Sequence, residues 1–144
     1  MLTIELVPKT CWYSNVRSEV SKGEWDKIKK IVSAKANHKC EICNGIGSKW
    51  PVECHEVWSY ENKIQKLERF IALCPSCHEV KHIGLATIKG RQDIAISHLA
   101  KVNGSSLEDA SLYVQEAFGT WSKRSEHQWI LDISYLDVFK ESNK

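Results

Sequence analysis

Four of the six cysteines form two Cys-x-x-Cys pairs. These are Cys40, Cys43, Cys74 and Cys77. Gly45 follows the first pair and Pro75 lies inside the second, so both pairs stand beside residues that favour tight backbone geometry. A disulfide within one pair would be strained, and a redox-active pair needs a thioredoxin-like context that the sequence lacks. We therefore predict that the four thiolates bind one structural Zn²⁺ in tetrahedral geometry.

Three histidines near these pairs form a second candidate metal site. His78 and His82 are four residues apart, so both rings lie on one face if Pro75 starts a helix. His55 lies between the pairs, in residues 52–58, a stretch of strand type. If the zinc holds this strand beside the helix, the three imidazoles converge on one ion. Three nitrogen ligands leave a position for water or substrate, as in a catalytic metal site.

Each histidine also has an ordinary interpretation. His78 can cap the cysteine loop, His82 can be a solvated helix residue, and His55 can belong to the core. We favour the metal site because all three occur in this order beside the paired cysteines.

The order of these motifs resembles that of the zinc-containing HNH endonucleases. The common pattern is a Cys-x-x-Cys pair, a strand with His-Glu, and then Leu-Cys-Pro-Ser-Cys-His-x-x-x-His, over about residues 38–86. The resemblance implies an α+β fold whose ββα-metal core is built on a treble-clef zinc scaffold. It also implies that His55, His78 and His82 hold a divalent metal such as Mg²⁺, Mn²⁺, Ni²⁺ or Zn²⁺.

Two positions depart from the family pattern. The residue after the first ligand is usually a histidine that activates water, and here it is Glu56, whose carboxylate is a weaker base than imidazole. The family's central Asn falls on Arg69, a candidate clamp for the scissile phosphate. An alternative alignment makes Cys54 the ligand and His55 the base, but a thiolate suits Mg²⁺ poorly because this ion prefers oxygen ligands.

The resemblance therefore implies an endonuclease that hydrolyses DNA phosphodiester bonds, with Glu56, His55 and Arg69 as catalytic residues. The alternative is an inactive HNH-derived zinc module that binds DNA, or binds a protein partner through its C-terminal helices. The net charge of +2 is small, so affinity for DNA must come from a local basic patch and from the metal.

The remaining sequence predicts elements around this core. Residues 50–58 and 70–73 form a hairpin, and the helix from Pro75 ends near Gly84. An N-terminal strand (2–7) and a helix (22–36) precede the core. A helical hairpin follows it, with one helix over 92–103 and a second capped by Ser105 or Ser106. Residues 129–136 form a further strand, for which the N-terminal strand is a candidate partner. We expect one domain over residues 1–144, with flanks 1–37 and 87–144.

Composition and cysteine usage indicate a cytoplasmic, soluble protein. Hydrophobic residues make up 42% and charged residues 26%, as is ordinary for a folded chain. Zinc-type cysteine pairs suit a reducing compartment, and the first ten residues lack a signal-peptide pattern. We expect no membrane association. The oligomeric state stays open.

Overall fold

The computed structural model describes residues 1–11 and 15–141 and shows an α+β chain, in which helices pack on both faces of a three-stranded sheet. The strands are β1 (Glu53–Glu61), β2 (Ile64–Leu73) and β3 (Ile130–Asp132). The helices are α1 (Val16–Glu19), α2 (Lys22–Lys35), α3 (Pro75–Lys81), α4 (Ile83–Ile88), α5 (Gln92–Asn103), α6 (Leu107–Arg124) and α7 (Asp137–Glu141). Short 3-10 helices cover Lys9–Cys11 and Ser134–Leu136.

The antiparallel hairpin of β1 and β2 forms the centre of the sheet. Asn62 and Lys63 connect the strands with φ angles of 51° and 63°, the positive values that a type I′ turn requires. The predicted hairpin is confirmed. β1 is shifted by three residues from the predicted 50–58, and β2 begins six residues before the predicted 70–73, because both strands run up to this two-residue turn.

The hairpin separates two apolar clusters. His55 pairs across the strands with Ile71, which belongs to the cluster under α3, α5 and α6. Glu56 pairs with Phe70, which belongs to the cluster under α2. Because paired residues share a face and neighbours alternate, the side chains of His55 and Glu56 lie on opposite faces of β1.

Local capping signals place the helices where the sequence predicts them. The Ser21 hydroxyl accepts a hydrogen bond from the Glu24 N–H (3.1 Å) at the start of α2. Gly104, with a φ of 64°, ends α5, and the Ser106 hydroxyl accepts from the Asp109 N–H (3.0 Å) at the start of α6. The predicted helix from Pro75 is interrupted at His82, where α3 ends and α4 begins.

The predicted N-terminal strand is wrong. The Leu2 N–H donates to Asn103 Oδ1 (2.8 Å), and the Ile4 N–H donates to the Tyr113 hydroxyl (3.0 Å). Side chains of α5 and α6 therefore satisfy backbone groups that a strand would pair with another strand. β3 pairs in parallel with β2, with Ile64 opposite Ile130. None of the helices in the described parts of the chain has the length and apolar composition needed to cross a bilayer.

Candidate metal centres

The four paired cysteines meet at one point, here called the cysteine cluster. The sulfurs of Cys40, Cys43, Cys74 and Cys77 all lie within 4.8 Å of one another. Cys43 Sγ and Cys74 Sγ are 3.6 Å apart. Zinc–sulfur bonds of about 2.3 Å in a tetrahedron place the sulfurs about 3.8 Å apart, so this donor set fits a metal such as zinc.

Two short backbone segments build the cysteine cluster. In the first, the Cys40 N–H donates to the Gly45 carbonyl (2.9 Å), and Asn44 takes a left-handed φ of 63° that closes the loop. In the second, Cys74 caps α3, and its sulfur accepts from the Cys77 N–H (3.5 Å). Pro75 then takes the first helical position, for which its fixed φ is suited.

Burial makes a cation at this cluster favourable. Burial raises the pKa of the thiols of Cys74 and Cys77. It acts in the same direction on Cys40, but hydrogen bonds from the backbone outweigh it and lower the pKa of that thiol to about 7. A bound cation would replace these protons and offset the desolvation of the thiolates.

His98, which the sequence analysis did not single out, lies beside the cysteine cluster. Its Nε2 is 3.2 Å from the sulfur of Cys77, so the ring can donate an N–H to that sulfur. The contact joins α5 to the cluster. Because the two residues are far apart along the chain, no local sequence pattern indicates this contact.

Three imidazoles meet in a second group, here called the histidine cluster. One ring nitrogen each of His55, His78 and His82 lies within 4.8 Å of the other two. The Nε2 atoms of His78 and His82 are 3.0 Å apart. Metal–nitrogen bonds of about 2.0 Å in a tetrahedron place the nitrogens about 3.3 Å apart, so the rings are arranged to share one divalent ion.

The three histidines come from two elements, β1 and α3 with its C-terminal cap. His55 points from β1 towards α3, His78 lies within α3, and His82 lies at the break between α3 and α4. Cys77 and His78 are neighbours in α3. The helix therefore links the two clusters, and a cation at the cysteine cluster would fix the helix that carries two of the three imidazoles.

Glu53 orients one of these rings. Its Oε1 lies 3.1 Å from His78 Nδ1, which leaves His78 Nε2 directed to the cluster. Carboxylates commonly hold metal-binding histidines in this way, because the bond fixes both tautomer and ring direction. Glu53 and His55 are two apart on β1, a spacing that signals a common face of the strand.

The environment keeps two of the rings neutral. Burial, assisted by His82 and His78, lowers the pKa of His55 to about 2. Desolvation by neighbouring groups and then His78 lower the pKa of His82 to about 4, although this residue also has surface exposed to solvent. At neutral pH one nitrogen of each of these two rings therefore holds a lone pair that can bind a metal.

The residue at the general-base position, Glu56, lies on the opposite face of β1 from the three rings. Its Oε2 accepts a hydrogen bond from the Val16 N–H (3.3 Å), and burial raises the pKa of its carboxyl. Glu56 nevertheless lines the same cavity as the histidines, because this cavity extends around the free edge of β1.

Arg69 contacts the cysteine loop. Its Nη2 lies 2.6 Å from Glu41 Oε1, and its Nε donates to the Phe70 carbonyl (3.0 Å). The second Glu41 oxygen accepts from the Ala72 N–H (2.6 Å), so Glu41 joins the loop to β2. Arg69 is absent from the described residues that line the histidine cavity.

Cys54 also lies apart from both clusters. It pairs with Ala72 on the α2 face of the sheet, where burial raises the pKa of its thiol to about 12. A thiol on that face is badly placed to replace His55 as a ligand beside His78, which argues against the alternative alignment.

The cavity beside the histidine cluster has a volume of about 730 Å³. Lys81, which the sequence analysis did not single out, contributes to its wall. This lysine is 6% exposed, and its Nζ bonds Glu5 Oε2 (3.0 Å) and the Thr3 hydroxyl (3.1 Å). The site therefore contains a buried ammonium group whose partners come from the N-terminal segment.

We found no match to this chain among the models of known protein families, the curated proteins or the solved structures with which we compared it.

Proposed function

We propose that the protein is an HNH-like, metal-dependent endonuclease that hydrolyses DNA phosphodiester bonds. The observation that carries the proposal is the convergence of His55, His78 and His82 at a cavity. Three imidazole ligands on one side of a bound ion would leave room for a phosphate oxygen and water. A site that only stabilises the fold would surround the ion with four protein ligands.

The order of elements supports a ββα-metal core on a treble-clef scaffold. A cysteine pair, the β1–β2 hairpin and then α3 follow one another along the chain, and the second cysteine pair opens the helix that carries His78 and His82. We propose that Zn²⁺ occupies the cysteine cluster and that a second divalent ion occupies the histidine cluster.

The residues around the histidine cluster can divide the chemistry between them. A divalent ion bound there would supply Lewis-acid stabilisation of the charge that develops on the phosphate. Glu56 lies on the other face of β1 but lines the same cavity, so it would take the proton of the attacking water through a bridging water, and its raised pKa makes it a stronger base than an exposed carboxylate. Lys81, whose Nζ is paired with Glu5, lines the same cavity. Arg69 keeps the cysteine loop on β2 through Glu41.

Nicking of supercoiled plasmid tests this function. We expect the purified protein to nick the plasmid with at least one of Mg²⁺, Mn²⁺, Ni²⁺ or Zn²⁺. His55→Ala should reduce the rate by more than about 100-fold, since removing a ligand costs more than removing its outer partner. His127→Ala is the matched control, because that exposed ring contacts Lys63 and belongs to neither cluster. Equal nicking by the wild type and His55→Ala would refute the proposal.

A second candidate function is that of a non-catalytic module that binds DNA or a protein partner. It is favoured by the hydrogen bond of Glu56 to Val16 and by the ion pair of Arg69 with Glu41, which occupy both residues that depart from the family pattern. The two functions predict different metal contents. Two bound metals, one removed by mild chelation, indicate the nuclease, whereas one zinc per chain with DNA binding at low salt indicates the module.

A further inference from the structure

Apart from histidines and charged groups, the side chains that line the cavity beside the histidine cluster are mainly apolar. Its apolar wall includes Trp25, Trp58, Leu85, Ile88, Phe118 and Trp121. A volume of about 730 Å³ falls within the range of about 300–1,000 Å³ that is usual for small-ligand pockets. A phosphate alone would leave most of this wall without a partner.

Two of the aromatic rings are fixed in place. The Trp121 indole N–H donates to the Val7 carbonyl (2.9 Å), and the Phe118 and Trp121 rings pack edge to face with centroids 6.5 Å apart. With its single donor used, the indole offers the cavity an apolar surface. Such a surface suits the face of a flat ring.

The opposite rim is apolar and open. Leu85 and Ile88 follow His82 on α4 and are 52% and 84% exposed. Between them and His82 lies Gly84, where an added Cβ would meet no atom within 4 Å. The metal ligands are therefore followed directly by exposed apolar side chains and free space, and a ligand that covers them would gain affinity.

We propose that this cavity receives one unpaired base of the nucleic-acid substrate while the adjacent phosphate lies on the histidine cluster. This inference rests on the proposed nuclease function. A nucleotide joins an anionic phosphate to a flat ring of low polarity, which matches the ring nitrogens of the histidine cluster and the apolar lining of the same cavity. An apolar peptide side chain would leave those ring nitrogens without a partner.

The proposal also defines the substrate class. A base in a regular duplex is stacked and paired, so it must leave the helix before it can enter a cavity. We therefore expect single strands, or duplexes with an unpaired nucleotide, to be preferred over regular duplex DNA.

Calorimetric titration of the metal-loaded protein tests the base site. The probes are thymidine 5′-monophosphate and 2-deoxyribose 5-phosphate, which differ only in the base. We expect the nucleotide to bind about tenfold more tightly, as base stacking on such side chains supplies. Leu85→Ser should reduce this ratio, and Gly84→Leu, which fills the free space, should abolish it. Leu112→Ser is the matched control, since Leu112 is 50% exposed and lies outside the cavity.

Equal affinity of the wild type for the two probes would overturn the base site, whether or not plasmid is nicked. A reduced ratio in Leu112→Ser equal to that in Leu85→Ser would overturn it as well. If the nucleotide is preferred and Leu85→Ser removes the preference while plasmid stays intact, the base site stands and the nuclease function fails.

Discussion

The cysteine cluster and the histidine cluster are neighbours that differ in how much of each is exposed to solvent. Three of the four cysteines, Cys40, Cys74 and Cys77, are each at most 5% exposed, and the fourth, Cys43, is exposed. The histidine cluster opens into a cavity of about 730 Å³, and the ring of His82 is exposed. A closed site suits a metal that supports the fold, and an open site suits a metal that meets a substrate. We therefore expect the cysteine cluster to act in stability and the histidine cluster in chemistry.

The largest expected effect concerns the closed site. Cys77→Ser should unfold the chain around the cluster, because structural zinc contributes roughly 10–16 kcal/mol of apparent binding free energy to folding. Cys54→Ala removes a thiol that belongs to neither cluster and should cost only about 1 kcal/mol. Circular dichroism during thermal unfolding, with zinc analysis, measures both. If Cys77→Ser melts at the temperature of Cys54→Ala, the cysteine cluster has no structural role.

A smaller effect is expected at the open site. Glu53→Gln removes the carboxylate that orients His78. It should weaken the binding of the second metal by about 10–100-fold, while zinc content and melting temperature stay unchanged. Glu61→Gln, an exposed carboxylate at the far end of β1, is the matched control. Calorimetric titration with Mn²⁺ measures both affinities. The interpretation fails if the two variants bind Mn²⁺ equally.

The smallest effects are expected when one glycine near each site is replaced by alanine. A Cβ at Gly47 would lie 2.7 Å from Pro75 Cδ and closer still to the Trp50 carbonyl oxygen, whereas a Cβ at Gly84 would meet nothing within 4 Å. Gly47→Ala should therefore destabilise the protein by about 1–3 kcal/mol. Gly84→Ala should stabilise it by about 0.5–1 kcal/mol, because alanine favours the helix. Urea unfolding measures both changes in the free energy of unfolding. Changes of the same sign would contradict the prediction.

Local patterns in the sequence predicted much of this arrangement. The capping serine at position 21 and the apolar spacing after it set the bounds of α2 to within one residue. The cysteine pairs and the spacing of His78 and His82 predicted which side chains come together. These features depend on residues a few positions apart, where periodicity and capping act directly.

Contacts between distant residues escaped prediction. Apolar and polar residues alternate over residues 2–7, as they do in a strand. The side chains of Asn103 and Tyr113 accept hydrogen bonds from N–H groups of this segment, in place of a neighbouring strand. Lys81 reaches Glu5 from the other side of the core, and no local pattern marks such a pair. Glu56 follows His55 on β1, so strand alternation places it on the other face, where it accepts a hydrogen bond from the distant Val16 N–H. Tertiary contacts of this kind override local preference.

The parallel pairing of Ile64 with Ile130 has a consequence for biosynthesis. All seven side chains of the two clusters have left the ribosome once residue 82 emerges, whereas β3 arrives much later. Metal capture could thus precede completion of the sheet, as domains generally acquire structure from the N-terminus during translation. In zinc-depleted medium, the four thiols of the cysteine cluster would stay without a metal during this interval, and recombinant yield should depend on zinc supply at the time of expression.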